Sequence, residues 1–348
     1  MNAQMLFSAS RTRAIARFRN LGQRCMSVRP LKYEHLANTS GESSPLKSVP
    51  PPPRKKVTIA SLHALRQERT PITVLTAYDY PTARAASTHG IDITLVGDSL
   101  AQVCLGYSST TSLTLDEMLH HCRAVARGTS APLLVADMPF GSFCAGKEDT
   151  VRAAVRMLQE GNVEAVKLEG GSEIAGRVQA LTSIGIPVMA HVGLLPQRHT
   201  ALSGYRVQGR TAQSGRSILH SALALEEAGA FSIVLEAIPS SLAAYITSRL
   251  KVPTIGIGAG PGCSGQVLVW DDVMGTWAGH KAKFVRRFGD VKSEVERGVK
   301  AYASAVRNGS FPQHEMEGYG MDDGEIETLL EMEGDREWTW SPPKLMSN

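Results

Sequence analysis

The chain has 348 residues, 43% of them apolar and 20% charged, enough to bury a large core, which excludes a disordered or disulfide-stapled protein. No apolar run approaches the ~20 uncharged residues of a membrane-spanning helix, and an aromatic content of 6% offers little for stacking on nucleic-acid bases. The formal charge of +4 is concentrated at the N-terminus: residues 1–33 hold seven basic residues and no acid, and without them 30 basic residues face 33 acidic ones, a net of −3. The basic balance therefore gives no argument for nucleic acid as a partner. Cys25, Cys104, Cys122, Cys144 and Cys263 form no C-x-x-C pair and stand at no zinc spacing, so they read as reduced thiols.

In chain order, residues 1–33 read as a mitochondrial transit peptide directing the protein to the matrix, because arginines recur at amphipathic-helix spacing among small and apolar residues. A disordered basic tail is the plain alternative. Residues 34–56, with the Pro50–Pro53 run, read as a linker. From Val57 onward short aliphatic or β-branched runs alternate with helical segments. Strands are predicted over 72–78, 92–98, 132–138, 165–170, 187–193, 231–237, 253–259 and 266–270. Their runs are apolar on nearly every residue, as in parallel strands covered on both faces, and helices such as Asp149–Glu160 and Ser214–Glu227 are predicted between them. Eight such units in about 220 residues predict an α/β fold, a (β/α)8 barrel over residues 57–314 rather than a doubly wound sheet. The link between 259 and 266 is too short for a helix. A further helix is predicted over Val291–Arg307. Residues 315–348 form an acidic C-terminal extension, with ten Asp or Glu against one Arg in 315–337, which reads as a solvated tail.

Four predicted strands finish on a carboxylate, at Asp98, Asp137, Glu169 and Glu236, and a fifth finishes at His191. In a parallel barrel the C-terminal strand ends converge on the face where catalytic groups sit. Taken singly, each acid is as readily a structural carboxylate or a helix cap. Gathered together they repel one another unless protons or a cation intervene. Oxygen donors without a Cys or paired-His cluster favour a hard divalent cation, Mg2+ first. Such an ion chelates a 2-oxo acid and stabilises the enolate formed when the adjacent carbon loses its proton. Glu236, furthest along the chain, is the candidate base, with a place behind the metal ligands as its alternative role.

Lys167 and Glu169 lie two apart on one strand and so project to the same face. The lysine can be a Schiff-base nucleophile or a plain partner of Glu169; beside carboxylates the favoured role is a protonated cation for a substrate carboxylate. His191 either donates a hydrogen bond to substrate or core, or ligates metal. Ser99 either orients substrate or caps the following helix. The run GIGAG, Gly256–Gly260, reads as a tight turn, with backbone approach to an anion as the alternative.

The blocks TAYDYPTA (76–83), LVGDSL (95–100), VADMPFGSF (135–143), VKLEGG (166–171), HVGLLPQ (191–197), GYRVQG (204–209), ALALEEAGA (222–230), VLEAIP (234–239) and IGIGAG (255–260) together resemble the 3-methyl-2-oxobutanoate (ketopantoate) hydroxymethyltransferase family. Its members are (β/α)8 TIM barrels of the wider phosphoenolpyruvate/pyruvate-type group. The resemblance implies that Asp98 and Asp137 coordinate one Mg2+, with Glu169 a ligand directly or through water. It further implies that Asp98, Ser99, Asp137 and Lys167 bind the 2-oxo acid, that Glu236 accepts the proton, and that His191 lies near the substrate. The implied reaction transfers a one-carbon unit from 5,10-methylenetetrahydrofolate to 3-methyl-2-oxobutanoate, giving 2-dehydropantoate and tetrahydrofolate in pantothenate biosynthesis. Family members are homo-oligomers, often decamers.

Two positions depart from the pattern: Leu195 stands where Thr is expected, and Ser203 where a Gly pair is expected before Tyr205. These bear on folate or substrate affinity more than on reaction type. The leader and the acidic extension resemble a fungal-type mitochondrial enzyme. Two other functional readings are an aldolase or lyase of the same barrel group acting without folate, and a catalytically silent barrel kept for assembly.

Overall fold

A computed structural model describes residues 54–279, 281–335 and 337–339; the predicted leader and the linker up to residue 53 lie outside the described residues. Eight strands are present: β1 Ile72–Thr76, β2 Ile93–Val96, β3 Leu133–Asp137, β4 Ala165–Glu169, β5 Val188–Gly193, β6 Ser232–Glu236, β7 Thr254–Ile257 and β8 Gly265–Leu268. They pair in parallel in chain order and close through β1 and β8, so the expected barrel is the observed one. Several strands pair over fewer residues than their predicted runs: β1 ends at Thr76, β7 at Ile257 and β8 at Leu268. β2 stops at Val96, and Asp98 belongs to the following turn, where its carbonyl accepts from the Ala101 amide at 3.0 Å; an apolar run does not mark where pairing stops. β5 ends at Gly193 as predicted, with His191 two residues inside it.

Helices Lys147–Gln159 and Ala212–Glu227 each begin two residues before their predicted starts. Their first turns are polar, with Glu148 and Asp149 at the positive end of one and Thr211 capping the other, so apolar periodicity sets in late. The helix Val291–Arg307 matches its predicted bounds. No helix separates β7 from β8, and β8 is followed only by the five-residue helix Trp270–Met274. The acidic extension is not uniformly irregular: it contains helices His314–Glu317 and Asp323–Glu333. The second is started by the Asp322 side chain, which accepts from Gly324 N, and stopped by Gly334 at φ 73°. Cys104, Cys122, Cys144 and Cys263 are free thiols.

The two-residue period of the strands sorts the core into two layers. Inward residues low in the barrel, including Ile93, Leu95, Leu133, Val135, Ala165, Met189 and Val234, form one apolar cluster. Outward residues such as Val166, Leu168, Ile233 and Leu235 pack in a second cluster with the surrounding helices. Continuing the same inward series to the C-terminal ends of β3 to β6 reaches Asp137, Lys167, Glu169, His191 and Glu236. Register then sets them side by side: Asp137 is opposite Lys167, Glu169 opposite His191, and Gly193 opposite Glu236.

Gly193 has φ 101°, and a Cβ there would lie 2.3 Å from the Glu236 carbonyl oxygen, which also accepts from Leu194 N at 2.9 Å. Substituting Gly193→Ala is therefore expected to cost about 2–4 kcal/mol, from backbone strain and overpacking together. Urea denaturation measures this; a loss below about 1 kcal/mol would mean that the backbone of β6 yields instead.

Candidate functional site

All seven candidate residues from the sequence come together at the C-terminal end of the barrel. Lys167 Nζ donates to Asp137 Oδ1 at 2.7 Å, with both side chains buried. The other oxygen of the same carboxylate, Oδ2, accepts from the Asp98 amide at 3.0 Å. Lys167 is thus paired with an acid from the neighbouring strand and not with Glu169, its neighbour on β4. His191 Nε2 lies 3.2 Å from Glu236 Oε2 and its Nδ1 lies 3.6 Å from Glu169 Oε1. Neither approach has hydrogen-bond direction, and both ring nitrogens are buried without such a partner. Ser99 sits at the start of the short helix Leu100–Val103 but makes no capping bond. Its Oγ lies 2.8 Å from Tyr78 Oη, which accepts from Thr76 Oγ1 at 2.8 Å.

Gln197 is a member of the site that strand-end reasoning missed. It lies in the turn Pro196–Arg198. Its side-chain Nε2 donates to Asp98 Oδ2 at 2.9 Å and to the Met138 carbonyl at 3.0 Å, and its amide donates to Glu169 Oε2 at 3.0 Å. One residue therefore braces two of the acids. Its Oε1 is buried with no partner, an open acceptor facing no protein donor. Of the two departures noted in the sequence, Leu195 is buried beside this turn. Ser203 adopts φ 58°, the left-handed region that a glycine would occupy without steric cost. The GIGAG run forms a turn against which neighbouring side chains pack closely: a Cβ on Gly258, at φ 64°, would meet the Phe284 ring at 2.7 Å.

Burial and mutual repulsion set the charge state. Burial, reinforced by Asp137, raises Asp98 to about 7. Burial raises Glu236 to about 8, with Lys167 pulling the other way. Glu169 is held well above the ordinary carboxylate value by burial and by Asp98. Burial alone would lower Lys167, but Asp137, Glu169 and Asp98 together hold it above its ordinary value, so it stays an ammonium. Burial, then Lys167, hold His191 well below its usual value, so its ring is neutral.

This donor set fits a hard divalent cation. Among the described residues no three acid, His or Cys side chains form a ready-made cage. Mg2+ takes one or two carboxylates and completes its shell with water or substrate oxygens. Asp98 and Asp137 are the two acids joined by a direct bond, and the orphaned Gln197 Oε1 is a further oxygen beside them. Glu169 has one oxygen engaged by Gln197 and the other facing His191.

Residues 56–314 match the sequence profile of a family described as ketopantoate hydroxymethyltransferase. A Heliobacterium modesticaldum protein named 3-methyl-2-oxobutanoate hydroxymethyltransferase is 49% identical over 269 residues, covering 77% of this chain and 97% of the relative. A Pelobacter propionicus protein of the same name is 52% identical over 262 residues, covering 75% of this chain and 97% of the relative. Among solved structures, phosphonopyruvate hydrolase in complex with oxalate and Mg2+ superposes with a TM-score of 0.50 over 81% of this chain and 96% of that one, at 17% identity. That last likeness is one of fold.

The raised carboxyl groups fix the sign of a pH effect. Between the unfolded carboxylate value and about 8 for Glu236, the cation-free folded protein holds a proton that the unfolded chain has released. Stability is then full below about pH 4.5 as far as this group is concerned and falls as pH rises, by roughly 1 kcal/mol per unit. Unfolding of EDTA-treated protein between about pH 5.5 and 8 should show a shallower fall for Glu236→Gln than for wild type. Parallel curves would mean that Glu236 is ionised throughout.

Proposed function

The chain belongs to the ketopantoate hydroxymethyltransferase family, and we propose on that premise that it transfers a one-carbon unit from 5,10-methylenetetrahydrofolate to 3-methyl-2-oxobutanoate. The products are 2-dehydropantoate and tetrahydrofolate, in pantothenate biosynthesis. The observation that carries this is the excess of acid at the barrel mouth: the buried Asp98, Asp137 and Glu169 with the partly buried Glu236 around one ammonium group, Lys167.

Asp98 and Asp137 would hold Mg2+, with Glu169 a further ligand directly or through water. When bound, the ion supplies Lewis acidity toward the keto oxygen of the 2-oxo acid, which makes the hydrogen on C3 more acidic. Lys167, locked as an ammonium by Asp137, presents positive charge to the substrate carboxylate. Ser99, fixed through Tyr78 and Thr76, orients the acid.

Glu236 takes the C3 proton. Its value near 8 makes it a stronger base than an ordinary carboxylate, closer in strength to the weakly acidic carbon. Once protonated, its carboxyl lies beside the neutral His191 ring, whose Nε2 is 3.2 Å from Glu236 Oε2. The electron pair left on C3 then forms the new bond to the one-carbon unit, whose two bonds to the folate nitrogens break; water leaves its hydroxyl on that carbon, and the proton taken from C3 and the second proton of the water end on the two nitrogens of tetrahydrofolate.

Homo-oligomerisation, up to a decamer, and delivery to the mitochondrial matrix belong to the same proposal. Support for assembly comes from Val291–Arg307, where Val291, Val295, Val299, Tyr302 and Val306 form one exposed apolar stripe. Support for import comes from the seven basic residues and missing acids of residues 1–33. A reporter fused to residues 1–33 is expected in the matrix; retention in the cytosol would overturn the targeting assignment.

Chemistry and binding separate in one variant. Glu236→Gln should slow exchange of the C3 hydrogen of 3-methyl-2-oxobutanoate into D2O by about 10²–10⁴-fold, while the oxo acid still binds in the presence of Mg2+. EDTA should stop exchange in the wild type and added Mg2+ should restore it. Undiminished exchange in the variant would remove Glu236 as the base.

A further inference from the structure

A groove of about 720 Å³ runs along the outside of the barrel between the helices Ala212–Glu227 and Ser240–Arg249. The first helix lines it with Ala212, Gly215, Arg216, Leu219, His220 and Leu223, a spacing of three and four that belongs to one helix face. At 1.5 Å per residue this face is about 17 Å long. Leu219, Leu223 and Leu242 are half-buried and form an apolar floor, whereas Arg210, Arg216, His220 and Arg249 are exposed. No acid lines the groove. Among the described residues the side chains of Arg210 and Arg216 make no hydrogen bond or ion pair. The partner of Arg249 is neutral: its Nη1 donates to Tyr245 Oη at 2.9 Å. Three arginines thus stand beside a leucine floor with their charge unmatched.

The C-terminal extension has the opposite character, and it lies beyond residue 314, where the match to the family ends. Its helix Asp323–Glu333 has 11 residues and is about 16 Å long. An isolated helix of that length is marginal in water, and none of its described side chains is buried. Leu329 and Met332 are 43% and 78% exposed and share a face with Glu325. The side chains of Glu325, Glu327 and Glu333 make no hydrogen bond or ion pair among the described residues. No residue of the extension lines the groove of its own chain. We propose that the groove takes the helix Asp323–Glu333 of a second copy of this chain, with its apolar side chains on the leucine floor and its acids against the arginines. An amphipathic helix laid into a groove is a recurring mode of recognition, the two lengths agree, and the charges are opposite. Residues 1–33, with seven basic residues and no acid, would be repelled from the same surface. The contact adds to the assembly proposed above and rests on neither the reaction nor the metal site.

Replacing Leu329 of the full-length protein with the photoreactive residue benzoylphenylalanine tests this. Irradiation should join that position to peptides within 209–223 or 239–249, in a product of twice the chain mass. Crosslinks to other segments, crosslinks confined to single chains, or the absence of any crosslinked product would overturn the proposal. Arg216→Glu together with Arg249→Glu should lower the yield about three- to tenfold. Adding Glu325→Lys and Glu333→Lys to the same chain should restore most of it, which also shows that the reversed chains are folded. A yield that ignores the reversal, or that is lost and not regained with all four substitutions, would remove the pairing of acids with arginines on which the docking depends. Raising NaCl from about 0.05 to 0.5 M should weaken the crosslink in the unreversed chain.

Discussion

The structure turns on a buried charge imbalance, four carboxylates gathered around a single ammonium group above an apolar floor. Removing one ion from water costs several kcal/mol even after relaxation, and a partner recovers that only with good geometry. Lys167 and Asp137 meet that condition, with a 2.7 Å bond between nearly inaccessible side chains. The other three acids do not, so each is pushed toward its neutral form. A proton on each acid is one way to relieve the repulsion, and a divalent cation is another. The two compete for the same oxygens, so a site that holds protons above the ordinary carboxylate range is also one poised to exchange them for a metal ion. The cost of this arrangement is borne by the barrel beneath, whose inward residues form an apolar cluster.

Much of that layer was legible in the sequence because of two simple geometric facts. Parallel strands in a closed barrel end on one face, so acids closing separate apolar runs must meet. A strand has a period of two, so Lys167 and Glu169 must share a side. What the sequence could not supply was the partnership across strands. The acid nearest Lys167 in sequence is Glu169, yet its hydrogen-bond partner is Asp137, thirty positions away, because the register sets those two residues opposite each other. Register depends on how eight strands stagger around the barrel, a global property that no local pattern encodes.

Gln197 was hidden for a different reason. An amide in a loop carries no charge and no periodicity, and its contact with Asp98 exists only because the turn at Pro196 folds it back over the barrel mouth. The one available signal was a polar side chain closing the otherwise apolar run after His191. The acidic extension is mostly exposed, as its charge density suggested, but the Asp322 cap and the Gly334 stop bound a helix within it that an average over composition does not reveal.

The backbone next to the base ties these layers together. Ala237, immediately after Glu236, has φ 46°, a conformation that costs a residue with a Cβ about 1–2 kcal/mol. It persists because both its polar groups are engaged: its amide donates to the Ile257 carbonyl at 2.8 Å, and its carbonyl accepts from the Gln208 amide at 2.9 Å. The first bond fixes the end of β6 against β7, and the second attaches the loop of Tyr205 and Arg206 to the same residue. That loop and the carboxylate of Glu236 are thereby anchored on one strained position. A ligand that pulls on the loop is mechanically connected to the group that must meet the substrate carbon. The strain is the cost of this connection, since an extended Ala237 would carry the chain on along β6 and leave the loop without its anchor.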